Sequence, residues 1–364
     1  MGEKAHDVEE RTLVLPVRLD ATPRGAIERA AELLRAGRLV AFPTETVYGL
    51  GADATNAAAV ERIFAAKERP YSDPLIVHVP DAGAVRTVAR DAPGIVAALG
   101  ERFWPGPLTL ILRRAAVIPG IVAAGGDTVG VRVPDHAVAR ALLEAAGVPV
   151  AAPSANRFMH TSPTTAAHVL ADLAGRIACV LDAGPCAVGV ESTVLDVTAN
   201  PPRVLRPGGV TLEALREVAP DTRGPDGLFA PRSDDAEGAA ARAPGQMERH
   251  YAPRTRLVVF DAQGERALAA VRAEVEAALG QGERVGALLP DDEAEALAGL
   301  MIAVARLGPG DDLAGITRRL YAALRELDAA GLDVIVAHTF GTSGMGLALW
   351  DRLRRAAGGT LRAV

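Results

Sequence analysis

The rhythm of short apolar runs constrains the fold of this 364-residue chain more than any other feature. Over the first part of the chain, "RLVAF", "PLIVHV", "LTLIL", "TVGVRV" and "STVLDV" read as strands and alternate with helical stretches at 24–36, 56–67 and 135–146. That alternation predicts an α/β domain. Thr22 before Pro23, Asn56 before an alanine run and Ser162 before Pro163 read as helix caps. Between 219 and 250, in "PDTRGPDGLFAPRSDDAEGAAARAPGQMERH", Pro, Gly and Asp dominate and the apolar period disappears, as in a linker. Beyond it, "RLVVF", "RVGALLP", "MIAVARL" and "DVIVAH" alternate with helices near 263–280, 311–329 and 346–357, a Rossmann-like rhythm. The expected division is a first α/β domain over 1–218, a linker over 219–253 and a smaller domain over 254–364.

Composition narrows the function classes. Apolar residues make up 49 % of the chain, enough for a sizeable core, and the formal charge of −6 argues against a surface that coats nucleic acid. Any phosphate site has to be local. The two cysteines, Cys179 and Cys186, have neither the spacing nor the neighbours of a zinc site and read as buried thiols in a reducing compartment. The charged N-terminus lacks an apolar leader core, and no run approaches the roughly 18 apolar residues of a membrane span. A cytoplasmic protein, neither exported nor inserted, is expected.

Several loops carry chemistry-bearing residues. "FPTETVYGLGADA" leaves a strand with hydroxyls and two glycines, Gly49 and Gly51, which allow either a capped turn or close backbone approach to a small polar ligand. In "FAAKERPYSDPLIVHV", Lys67 and Arg69 end a helix beside a proline-held loop; they suit a triphosphate, and equally the helix dipole. Thr128, Gly130 and Arg132 alternate along one strand and share a face, which suggests a wet pocket. "PSAN" and "SPT" supply turns whose amides can receive phosphate oxygens, and Ser192 and Arg206 lie beside further strands. No Walker A, G-x-G-x-x-G helix start or H-E-x-x-H is present.

Taken in order, PTETVYGLG, K-x-R-P-x-x-x-P-L-x-x-H, TVxVRxP, SAN, SPT, ESTV and RPG resemble the L-threonylcarbamoyladenylate synthase family, with its YrdC-like domain, across 37–210. "APGQMERHYAP" and the second α/β domain resemble the long form of that family. The resemblance implies a YrdC-like α/β domain with a concave binding face followed by a Rossmann-like domain. It also implies synthesis of L-threonylcarbamoyl-AMP and pyrophosphate from L-threonine, bicarbonate or CO2 and ATP, with Mg2+ accompanying the nucleotide. The product serves the tRNA threonylcarbamoyl-transfer machinery.

Carried over by motif position, the resemblance places L-threonine on Thr46, His78, Arg132, Ala152 and Ser192. ATP falls to Lys67, Arg69, Asp73, Thr128, Ser154, Asn156, Ser162 and Arg206, with Tyr251 closing over the mouth from the linker. Lys67, Arg69, Ser154 and Asn156 are the expected catalytic group, and no metal cage is expected. Two departures stand out: Asp73 occupies a position where the family usually has Asn, and "RFMH" at 157–160 replaces a smaller, Gly-containing loop. Rival readings are a related carbamoyl-adenylate-forming module and an RNA-binding module. Two cysteines are too few for the zinc fingers of the hydrogenase maturation proteins that carry the former, and the acidic total speaks against tight autonomous RNA binding.

Overall fold

The computed structural model describes residues 11–18, 24–225, 243–245, 247 and 249–364; the expected cap at Thr22, linker residues 226–242 and positions 246 and 248 lie outside them. Eleven strands join in one mixed sheet. From Leu13–Pro16 at one edge, the order runs through Cys179–Asp182, Val40–Phe42, Gly49–Asp53, Val150–Ala151, Ile76–His78, Thr128–Arg132, Leu108–Arg114 and Thr193–Asp196 to Arg203–Arg206. The short strand Ala89–Arg90 pairs with Leu108–Arg114.

Strand alternation sorts this sheet into a core face and a site face. Leu50, Ala52, Val77, Val131 and Leu110 bury with Val60, Ile63, Phe64 and Leu99 of the helices Ala57–Lys67 and Ile95–Phe103. Their neighbours Gly49, Ile76, His78 and Arg132 face the other way and line a cavity. Register locks the arrangement, since Ile76 pairs with Gly130 and His78 with Arg132.

Local signals explain where the key helix starts and stops. Asn56 accepts the Ala59 N–H at 3.2 Å, and Glu68 enters the left-handed region at φ 57°, where its N–H closes the helix on the carbonyls of Ala65 and Phe64. Lys67 and Arg69 thus flank the exit turn. Ser162, in contrast, caps no helix. The next helix is Ala166–Leu173, capped by Thr165, and the Ser162 hydroxyl instead donates to Glu191.

The second sheet is parallel, in the order Arg256–Phe260, Val334–His338, Val285–Leu289, Ala303–Arg306. Leu257 and Val259 pack with the helices Leu313–Ala329 and Met345–Ala356, whereas Val258 and Phe260 pack with Gly264–Gly280. Helices on both faces of a parallel sheet make it the Rossmann-like layer expected.

The two sheets share packing across their boundary. Val47 and Val190, from loops of the first, are buried in the second core beside Tyr251, Leu320 and Leu349. Gly189, at φ 86°, rests against the helix Leu313–Ala329 so closely that a Cβ would lie 2.4 Å from the Arg318 Cα. Among the described residues no helix is long and apolar enough to cross a membrane.

Candidate active site

The cavity on the site face measures about 40 Å³ and is lined by Thr44, Thr46, Gly49, Arg69, His78, Arg132, Ala152, Ser154, Glu191, Ser192 and Arg206, with Pro244, Gly245, His250 and Tyr251 across its mouth. Small-molecule sites run to several hundred Å³. Pro244, Gly245, His250 and Tyr251 of the linker take up part of that space in this conformation. Thr46, His78, Arg132, Ala152 and Ser192, the residues assigned to L-threonine, all meet here. Of those assigned to ATP, Arg69, Ser154, Arg206 and Tyr251 join them; Lys67, Asp73, Thr128, Asn156 and Ser162 do not line this cavity.

The opening motif divides its labour. The Thr44 and Thr46 hydroxyls lie 2.8 Å apart, and Thr44 donates to the Val47 carbonyl at 2.7 Å, which fixes the turn. Tyr48 faces away from the cavity, donating to the Gly184 carbonyl at 2.7 Å. Gly51 serves packing, for a Cβ there would lie 2.8 Å from a Val150 methyl. Gly49 alone of the two lines the cavity.

Lys67 is almost wholly buried, and its ammonium donates to the backbone carbonyls of Ser154, at 2.6 Å, and Asn156. Burial, then the neighbouring Arg69, pushes its pKa well below the usual lysine value. In this conformation the lysine shapes the Pro-Ser-x-Asn turn from behind. Asn156 continues that role, donating to the carbonyls of Arg157 and His160 at 2.7 and 2.8 Å.

Arg69 lines the cavity and holds its loop through the carbonyls of Asp73 and Pro74 at 3.1 and 2.7 Å. Its guanidinium also lies 3.0 Å from the Asp73 carboxylate, without hydrogen-bond geometry. That cation offsets the charge of Asp73. Thr128 lies farther along its strand, beside Asp127 and Asp196 in a separate polar recess.

Arg132 pairs with Glu45 at 2.6 Å, both side chains nearly inaccessible. His78, on the paired strand, is held neutral: burial and then Arg132 lower its pKa to about 3. Ser192 contacts the Thr109 hydroxyl at 2.8 Å and receives Arg206 at 3.2 Å, while Arg206 also donates to the carbonyls of Ser192 and Pro244 at 2.9 and 3.2 Å. One arginine thus ties the cavity wall to the linker.

The linker end is fastened by the "RFMH" loop. Ala252 N–H donates to the Met159 carbonyl at 2.9 Å, and the His250 ring meets Phe158 edge-on at 5.8 Å. Tyr251 is 1 % exposed, adopts φ 61°, and places its ring 5.0 Å from the Arg352 guanidinium. It both borders the cavity and belongs to the second core.

Thr44, Glu45, Glu191, Gly245 and His250 were not singled out from sequence. Glu191 is the most consequential. Its carboxylate, inside the "ESTV" motif, accepts the Ser162 hydroxyl at 2.6 Å, Arg352 Nε at 2.7 Å and the Tyr321 hydroxyl at 2.9 Å. A lone acid between apolar runs was the available signal, but its partners stand 130 and 161 positions away. Among the described residues no three His, Cys, Asp or Glu cluster as a metal cage. Both cysteines are buried free thiols, pushed by burial to about 11 for Cys179 and about 12 for Cys186.

Two family models match this chain in succession. A Sua5/YciO/YrdC family model, described as telomere recombination, matches residues 32–208, and one described as the threonylcarbamoyl-AMP synthase C-terminal domain matches 210–358. The threonylcarbamoyl-AMP synthase of Pyrococcus abyssi is 40 % identical over 95 % of this chain and 98 % of its own, and that of Bacillus subtilis 43 % over 92 % and 93 %. A crystal structure of P. abyssi Sua5 complexed with L-threonine superposes with a TM-score of 0.90 at 40 % identity, covering 97 % of this chain and all of that one.

Proposed function

From the premise that this chain belongs to the threonylcarbamoyl-AMP synthase family, we propose how its residues carry out that synthesis. It is an enzyme of tRNA modification that makes L-threonylcarbamoyl-AMP from L-threonine, bicarbonate or CO2 and ATP, releasing pyrophosphate. The observation that carries the residue assignment is three buried arginines, Arg69, Arg132 and Arg206, converging with Thr46, His78 and Ser192 on one cavity.

The chemistry requires no protein nucleophile. The threonine amine adds to CO2 and loses a proton, giving a carbamate; a carbamate oxygen then attacks the α-phosphorus of ATP, the α–β bridging bond breaks, and pyrophosphate departs. What the site has to supply is alignment of two anions and cations for the charge growing on the leaving group. Arg132 is the natural partner of the threonine carboxylate, since its planar fork matches it, and substrate entry exchanges Glu45 for that carboxylate. Neutral His78 and the Thr46 and Ser192 hydroxyls suit the amino and hydroxyl groups. Arg69 and Arg206 face the triphosphate, and Lys67 holds the Ser154–Asn156 turn that receives it.

Mg2+ is carried in by the nucleotide in this reading, where it would neutralise phosphate charge. Asp73, paired with Arg69 at 3.0 Å and outside the cavity lining, is not a ready ligand, and an ion held by the phosphates requires no protein cage. The linker around Pro244, Gly245, His250 and Tyr251 opens to admit substrates and closes to keep water from the mixed anhydride. A cytoplasmic location and delivery of the product to a tRNA threonylcarbamoyl-transfer enzyme complete the proposal. The deciding experiment measures pyrophosphate release from ATP with threonine and bicarbonate each omitted in turn. Release that persists without threonine would overturn it.

A further inference from the structure

Glu191 is a carboxylate in the wall of a cavity that, on the reading above, has to accept a polyphosphate. Left uncompensated, it would repel ATP. The first domain offers its carboxylate the Ser162 hydroxyl, and nearby Arg206 is spent on Ser192 and on the Pro244 carbonyl. The countercharge in contact comes from the other half of the molecule. Arg352, fully buried in the helix Met345–Ala356, donates its Nε to Glu191 at 2.7 Å and an Nη to the Pro207 carbonyl at 3.0 Å, while Tyr321 adds its hydroxyl at 2.9 Å.

We propose that the second domain completes the nucleotide site electrostatically, Arg352 neutralising and holding Glu191 so that the cavity wall tolerates the ATP polyphosphate. Arg352 is therefore a positioning residue that acts through Glu191. The other groups around the carboxylate agree with this. Asp351 also contacts an Nη of Arg352 but is itself paired with Arg355 at 2.9 Å, and Tyr251, Tyr321 and His250 are held neutral by burial. Burial alone would drive the Glu191 carboxyl upward; Arg352, then Arg206, outweigh it and hold it at about 2. Ser162, one residue before the "PT" turn, is oriented by the same carboxylate. The helix bearing Arg352 thus reaches nucleotide-site residues without touching substrate.

The inference rests on the synthase reading, and the test separates the two. Steady-state pyrophosphate release would be measured for the full-length protein, for Arg352→Met, and for Arg352→Met combined with Glu191→Gln. The expected result is a rise of about tenfold or more in the ATP KM of Arg352→Met, with a smaller change for threonine, whose net charge is zero. Adding Glu191→Gln should bring the ATP KM back by several-fold, because the repelling charge is gone. A double variant as poor as the single, or a single variant with an unchanged ATP KM, overturns the electrostatic role. If Arg352→Met does not fold, Tyr321→Phe keeps the ring and removes one donor; its ATP KM should rise about twofold to threefold, and Glu191→Gln should erase the difference. Wild-type protein lacking threonine-dependent release fails the synthase reading itself, before any variant is compared.

Discussion

Arg132 Nη2 lies 2.6 Å from Glu45 Oε1 in a pocket that leaves either side chain less than a tenth exposed. The Glu45 carboxylate occupies the arginine that a substrate carboxylate would need. Arg132→Lys keeps the charge but loses the planar fork, so the threonine KM should rise about tenfold while the ATP KM stays within about twofold. A defect confined to ATP would show the arginine serves the other substrate.

Lys67 donates to two carbonyls of the turn that bears Ser154 and Asn156, and Arg69 lines the cavity itself. Lys67→Ala and Arg69→Ala should each lower turnover on the order of a hundredfold, by different routes. Lys67→Ala should also speed amide exchange across residues 154–160, a signature Arg69→Ala should lack. Near-normal turnover in a folded double variant would reduce both to helix-end charges.

Tyr251 packs in the second core as well as on the cavity, so Tyr251→Ala should cost about 3–5 kcal/mol of stability and raise the ATP KM together. Gly245→Ala offers a second probe, because a Cβ there would lie 2.2 Å from the Tyr251 hydroxyl at a backbone φ of 77°. It should lower the melting temperature by a few degrees, through strain at positive φ, and increase loss of the adenylate to water. Unchanged intermediate yield in that variant would leave the segment an anchor only.

Gly189→Ala places a methyl group against the backbone at Arg318 and should separate the shared core. A fall in melting temperature of several degrees, with faster proteolysis between the two sheets, is the expected outcome. Equal stability would mean the two halves are not mechanically joined there.

Stability should fall on the acid side in two stages. His78, at about 3, and His250, held well below the usual histidine value by burial and then Arg69, remain neutral in the fold and take up protons when unfolded below about pH 6.5. Their contribution is complete above that pH and is lost as pH falls, by on the order of 2 kcal/mol at pH 5 for His78 alone. Glu191, at about 2, adds a second loss between about pH 4.5 and 2. Chemical-denaturation midpoints measured from pH 7 to 4 test the sign; a flat profile would show these histidines are not buried neutral.

The sequence by itself determined the two α/β rhythms and nine of the fifteen described strands, five in the first sheet and all four in the second. Strand period and cap chemistry are local, and alternate positions such as His78 and Arg132 are forced to one face once the strands pair. Tertiary structure decided what those side chains do. Ser162 reads as a cap, yet its hydroxyl goes to Glu191, because a hydrogen-bond partner brought near by folding outcompetes a local helix start. Lys67 suits a triphosphate or the helix dipole by sequence, and in the fold it also donates to a turn 87 positions away. The role of the second domain was invisible for the same physical reason. Arg352 and Glu191 are separated by 161 residues, and no periodicity or spacing rule reaches that far; only burial of both charges in one shared core makes them partners.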